Sequence, residues 1–266
     1  MTFKAATDIT VLCHLLLLIG LGISGSFSGM TSDILYLCAF ILPTVLGLYL
    51  AKKGGCQFPK LRLGRGEIKL LLPIVFPTVL LIMGISSFFS FILTQAGAEN
   101  SVTVYPTLFE NLVRHVFMPA ILEEAIFRYL PFTLFGGENR RAFILISSLS
   151  FALVHCNLFQ IPYAFIAGAI FAMANIMFDS PMPSLLLHTV NNLVSVLSLY
   201  YGKDLIVILI CAALSAVSFA FIIAKRGSYK AKIKHIFEDK SKYKLSYSLL
   251  LIIIPTVVMS ILNILG

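Results

Sequence analysis

The sequence is poor in charge and contains no tryptophan: Asp, Glu, Lys and Arg make up only 12% of its 266 residues, against about 25% in an ordinary soluble domain. Combined with a hydrophobic share of 59%, that deficit excludes a water-soluble globule. The five cysteines, Cys13, Cys38, Cys56, Cys156 and Cys211, show no CxxC spacing and mostly fall inside apolar runs, which argues against a disulfide framework or a zinc knuckle. HExxH, the helical signature of many zinc proteases, is also missing. The net charge of +8 raises the question of nucleic acid, but the basic residues sit in short loops between apolar runs, where they orient membrane spans. No nucleic-acid partner is expected.

What the sequence does contain is apolar runs, centred on residues 9–25, 34–51, 70–94, 116–135, 142–159, 161–178, 182–200, 205–224 and 246–264. Most are close to the ~20 residues that cross a ~30 Å hydrocarbon core. They predict an all-α, polytopic transmembrane helix bundle of about eight to nine spans in a lipid bilayer. The first run is followed by Ser24-Gly25-Ser26 and is read as a retained span rather than a cleaved signal. Basic residues cluster in residues 52–69 and 225–244, and Arg140-Arg141 form a third group, whereas residues 26–33 and 95–107 hold no Lys or Arg. Alternate threading from a cytoplasmic N-terminus places 17 of the 20 basic residues inside. The runs on either side of Pro162 fit this topology as two spans or as one re-entrant unit. The 225–244 linker is expected along the headgroups, anchored by Ile233, Ile236 and Phe237. Ala164, Gly168 and Ala172, spaced by four, predict close helix packing.

Ionisable side chains inside spans are costly, at least ~2.5–3.5 kcal/mol each on insertion scales. The chain accepts that cost at Glu123, Glu124, Arg128, His155 and His188, with Asn192 beside them. Glu124 and Arg128 are spaced i, i+4 and can neutralise each other, while Glu123 points about 100° away on a helix with ~3.6 residues per turn. Glu123 is thus left without a local partner, which suits a general base in a low-dielectric site. His188 and Asn192 share one helix face, with Asn191 as competitor for the second position, and Phe151 and His155 form a third i, i+4 pair. His14, His115 and His235 read as structural or solvated. Glu123, His155, His188 and Asn192 are expected to converge on one water-accessible cavity, since polar groups at similar depth must satisfy one another or water. Only six residues separate His188 from the turn at Asp179-Ser180-Pro181, so that cavity is expected to open to the cytoplasm.

Three motifs stand in order: Glu123-Glu124-Ala125-Ile126-Phe127-Arg128 reads EExxxR, Phe151 to His155 reads FxxxH, and His188 to Asn192 reads HxxxN. Together they resemble the CAAX protease and bacteriocin-processing (CPBP, or Abi) family of intramembrane endopeptidases, over about residues 108–200. The resemblance implies N-terminal spans over 1–107, a catalytic core over 108–200, and C-terminal spans with the basic linker over 201–266. It implies that Glu123 activates the attacking water, that His155 holds and polarises it, and that His188 and Asn192 contact the water and steady the oxyanion, with Glu124, Arg128 and Phe151 in support. Relatives are often labelled metalloproteases. If zinc is bound, Glu123, His155 and His188 are its candidate ligands, although a metal-free glutamate mechanism is the preferred reading.

The expected activity is hydrolysis of a peptide bond in a peptide or membrane-anchored protein substrate, in peptide maturation, bacteriocin immunity or signalling. The compact chain suggests a bacterial plasma membrane. The competing readings are a non-catalytic regulatory or immunity partner of the same fold, and a transporter with a Glu123–His155 proton relay. The second lacks the internal repeats such a transporter carries.

Overall fold

The computed structural model describes residues 1–98, 105–136, 139–201, 204–237 and 247–265, and all regular structure among them is helical. Ten helical units build the bundle. They are α1 (Phe3–Gly25), α2 (Gly29–Lys53), α3 (Arg65–Gln95), α4 (residues 108–135), α5 (Arg140–Leu153), α6 (Ile161–Phe178), α7 (Met182–Tyr201), α8 (Asp204–Ala224), α9 (Arg226–Phe237) and α10 (Leu250–Leu265). Six of them, α1, α2, α3, α6, α7 and α8, are long and apolar enough to cross a membrane. The protein is an integral, multi-pass membrane protein. The lipid-facing surface is carried by exposed apolar side chains such as Ile19 on α1, Leu42 on α2, and Leu209 and Val217 on α8.

The other three expected spans depart from regular full-length helices. In α4 the helix runs without a break, but π turns occupy Leu112–Phe117 and Ala125–Tyr129. Each π turn directly precedes a turn that carries a proline, Pro119 or Pro131. A proline ring clashes with the carbonyl four residues back and removes one helical hydrogen bond. Local widening re-satisfies the freed groups, as membrane helices require.

The expected span over 142–159 is shorter than the sequence implied. α5 stops at Leu153, and its 14 residues reach about 21 Å at ~1.5 Å per residue, short of a ~30 Å core. The chain then turns through Val154–Gln160 before α6 begins. Cys156 takes a left-handed φ of 45°, and the Asn157 side chain accepts from the Phe159 amide at 2.8 Å. α5 and α6 pack closely, as the small-residue spacing predicts: a Cβ on Gly168 would sit 3.1 Å from the Ser148 Cα. The last run forms α10, of 16 residues.

The helix ends define two faces. On one, Ser180 Oγ donates to the Lys60 carbonyl and Lys232 Nζ to the Met177 carbonyl, gathering the basic segments around the ends of α3, α4, α6 and α9. On the opposite face Arg114 makes a bidentate pair with Asp33, at 2.5 and 2.7 Å, and Ser24 bonds Ser32. The helix α9 of the basic linker docks onto the bundle. Tyr229 is buried and its hydroxyl donates to the Leu70 carbonyl at 2.7 Å, while Lys232 lies 3.5 Å from Glu67. Ile233 stays exposed; the Ile236 and Phe237 side chains lie outside the described residues.

Candidate active site

Glu123 on α4, His155 in the turn after α5, and His188 and Asn192 on α7 all line one cavity of about 490 Å³. The adjacent glutamates divide as their 100° separation requires. Glu123 is half-buried and faces the cavity, whereas Glu124 is buried behind it. Of the groups around Glu124, His188 Nδ1 donates to its Oε1 at 2.9 Å, and Arg128 Nε lies 3.8 Å from its Oε2. Arg128 lies within the second π turn, and the pair meets at Coulombic rather than hydrogen-bond distance.

Arg128 is fully buried and donates through Nη1 to the Phe127 carbonyl. Its guanidinium carbon lies 4.3 Å from the Phe151 ring centroid and 5.9 Å from that of Phe171. Cation–π attraction between desolvated groups is worth about 2 kcal/mol, which partly offsets the burial of the charge. Phe151 therefore does more than pack. Its ring also meets His155 and His188 edge-on, at centroid distances of 5.2 and 5.5 Å, so one aromatic side chain sets the position of both histidines and the arginine.

The tautomers follow from these partners. His155 Nδ1 is 2.8 Å from the Phe151 carbonyl, an acceptor only, so Nδ1 carries the proton and Nε2 is left as the acceptor. FxxxH thus acts at a helix end, with the Phe151 carbonyl as the link, rather than as the expected i, i+4 pair on a helix face. His188 Nδ1 likewise donates to the Glu124 carboxylate, and its Nε2 stands 3.8 Å from Glu123 Oε2. That gap is too long for a direct hydrogen bond and short enough for one water to touch both. Asn191 donates to Asn192 Oδ1 at 3.4 Å, an orientation that leaves the Asn192 Nδ2 group as the donor. His14 is buried edge-on to Phe127, and His115 stacks near Tyr105; neither lines the cavity. The His235 side chain lies outside the described residues.

The lining of the cavity extends away from the basic face rather than towards it. Counting along α7, its lining runs from His188 through Asn191, Asn192 and Ser195 to Ser198, away from the basic face, and Ser86 and Ser87 of α3 line it as well. Between the site and the basic face the path is filled by fully buried side chains. Asn175 holds both the amide and the hydroxyl of Ser184 at 2.9 Å, and Leu187 and Arg128 are completely enclosed. Nearness along α7 to the Asp179 turn therefore does not translate into access. Tyr163, Ser195 and Ser198 were not singled out in the sequence. The polar stripe at 188, 191, 195 and 198 was the available signal, at i, i+3, i+7 and i+10.

Among the described residues no three His, Cys, Asp or Glu side chains are grouped to hold a metal ion. Each histidine donates Nδ1 to a protein acceptor, the Phe151 carbonyl or the Glu124 carboxylate, and leaves Nε2 free. Glu123, His155 and His188 carry the donor types of a zinc site but are not grouped closely enough for one in this arrangement.

Residues 106–194 match the family model described as type II CAAX prenyl endopeptidase Rce1-like. This segment is similar to the CAAX protease type. It spans α4 to most of α7 and so contains EExxxR, FxxxH and HxxxN with every wall of the site that carries a titratable group. No curated protein and no solved structure matches the chain.

Proposed function

We propose that the protein is an intramembrane endopeptidase that hydrolyses a peptide bond with water activated by Glu123. The observation that carries this reading is the pair of ring nitrogens and the carboxylate turned into one cavity: His155 Nε2 and His188 Nε2, the latter 3.8 Å from Glu123 Oε2. A water held there gives one proton to Glu123 and attacks the scissile carbonyl carbon, and the carbonyl becomes an oxyanion. Asn192 Nδ2 donates to that oxyanion. His188, its Nδ1 proton held by Glu124, turns Nε2 to the same water. Glu123 then delivers its proton to the leaving nitrogen, and the carbon–nitrogen bond breaks. The charges balance throughout, with no proton lost to lipid.

His155 orients the water by accepting from it, while Arg128 and Phe151 hold the histidines and Glu124 in place. The substrate is a peptide or membrane-anchored protein, and the setting a bacterial plasma membrane. Peptide maturation, bacteriocin immunity and signalling all suit such an activity.

Glu123→Gln tests the reading. The amide is isosteric but cannot take a proton, so hydrolysis should fall by about 10²–10⁴ with unchanged thermal stability in detergent, and uncleaved substrate should accumulate in cells. A variant that kept the wild-type cellular phenotype would assign the chain to a non-catalytic regulatory or immunity role.

A further inference from the structure

The cavity has a direction, and the chain has a charge asymmetry fixed independently of it. Its lining on α7 spans His188 to Leu199, a rise of eleven residues or about 16 Å of helix. It ends two residues before α7 does, at Tyr201. From the other walls it takes Tyr163, the third residue of α6, and Ile208, the fifth of α8. All three positions lie at helix ends remote from the basic segments. On the basic side the Asn175–Ser184 clasp, Leu187 and Arg128 close the site. Lys and Arg in short loops mark the cytoplasmic side of a membrane protein, and residues 52–69, Arg140-Arg141 and 225–244 hold sixteen of the twenty.

We propose that this cavity takes its substrate from the non-cytoplasmic side, as an extended peptide segment of an exported peptide or of the outer juxtamembrane part of a membrane protein. The proposal rests on the endopeptidase reading for the cleavage itself, not for the direction of access. An extended chain rises ~3.3 Å per residue, so a passage of ~16 Å holds about five residues between the membrane surface and Glu123. The lining suits a backbone, because Ser86, Ser87, Asn191, Ser195 and Ser198 offer hydroxyl and amide groups that donate and accept without adding charge. A cytoplasmic prenylated C-terminus does not fit, since it approaches from the closed side.

The experiment is cysteine labelling in intact cells with a membrane-impermeant thiol reagent. Cys38, Cys56 and Cys156 are replaced by serine, while the buried Cys13 and Cys211 are kept. Ser195→Cys then reports on the cavity and Ser228→Cys, exposed on α9, on the basic face; Ser86→Cys is a second cavity reporter should Ser195→Cys fold poorly. Ser195→Cys should label in intact cells, and Ser228→Cys only after permeabilisation. Labelling of the cavity cysteines only after permeabilisation, or not at all, would overturn the proposal. Repeating the labelling in the Glu123→Gln background separates the two claims. An outward cavity in a chain whose Glu123→Gln variant loses no activity would refute the endopeptidase reading and leave the access route standing.

Discussion

Arg128 is the side chain on which the residues around it depend, because its charge is enclosed and its hydrogen bonding is incomplete. Nε and Nη2 have no hydrogen-bond partner among the described residues, and neither does Glu124 Oε2. The Phe151 ring and the Glu124 carboxylate compensate through cation–π and Coulombic attraction. Arg128→Ala should cost about 3–5 kcal/mol, since removing one member of a buried pair strands the other, and it should lower the unfolding midpoint in detergent. Arg128→Lys should not restore stability. The ammonium keeps the charge but loses the planar face that lies on Phe151. If the lysine variant unfolded at the wild-type temperature, the stacking account would be wrong. The EExxxR spacing foreshadowed an ion pair, and the structure adds that Glu124 serves His188 at closer range than it serves Arg128. No sequence pattern encodes that preference, because it depends on where α7 meets α4.

At the scale of the helix, α4 shows how proline can set a site. Pro131 follows the π turn that carries Arg128, and the extra residue in that turn fixes how Arg128 faces Glu124. Pro131→Ala removes the ring clash and restores a hydrogen-bond donor, so α4 is free to relax towards regular α-helix. The expected outcome is a protein at least as stable to heat as the wild type but with lower proteolytic activity. Equal activity in that variant would show that the π turn is not what positions the pair. The helix itself and both glutamate directions were legible from the apolar run and the 100° step. The π turns were not, because a proline inside a membrane helix is compatible with a kink or a widened turn, and neighbouring helices decide between them.

For the molecule as a whole, the bundle and its two faces were readable from apolar runs and loop charge, while two features were not. One is that α9 docks: its pattern of Lys with few apolar residues reads as interfacial, and only the burial of Tyr229 against α3 reveals the contact. The other is the direction in which the cavity's lining extends, which distance along the chain does not encode. Six residues separate His188 from the turn at the basic face, yet it is sealed from that face, because Asn175, Ser184, Leu187 and Arg128 fill the intervening volume. Sequence distance measures length along one helix, and access depends on what the others place beside it.

The short helix α5 carries a further consequence for the dynamics of the protein. It leaves the turn from Val154 to Gln160 below the level where a full span would end, with irregular hydrogen bonds such as that of the His155 amide to the Ala152 carbonyl at 3.4 Å. Non-helical backbone at that depth is tolerated only beside protein or water. Amide deuterium uptake should therefore be fast across this turn and slow in α5 and α6 on either side of it, an island of rapid exchange within a protected stretch of sequence. Uptake as slow as in the flanking helices would mean that solvent does not reach the turn that carries His155.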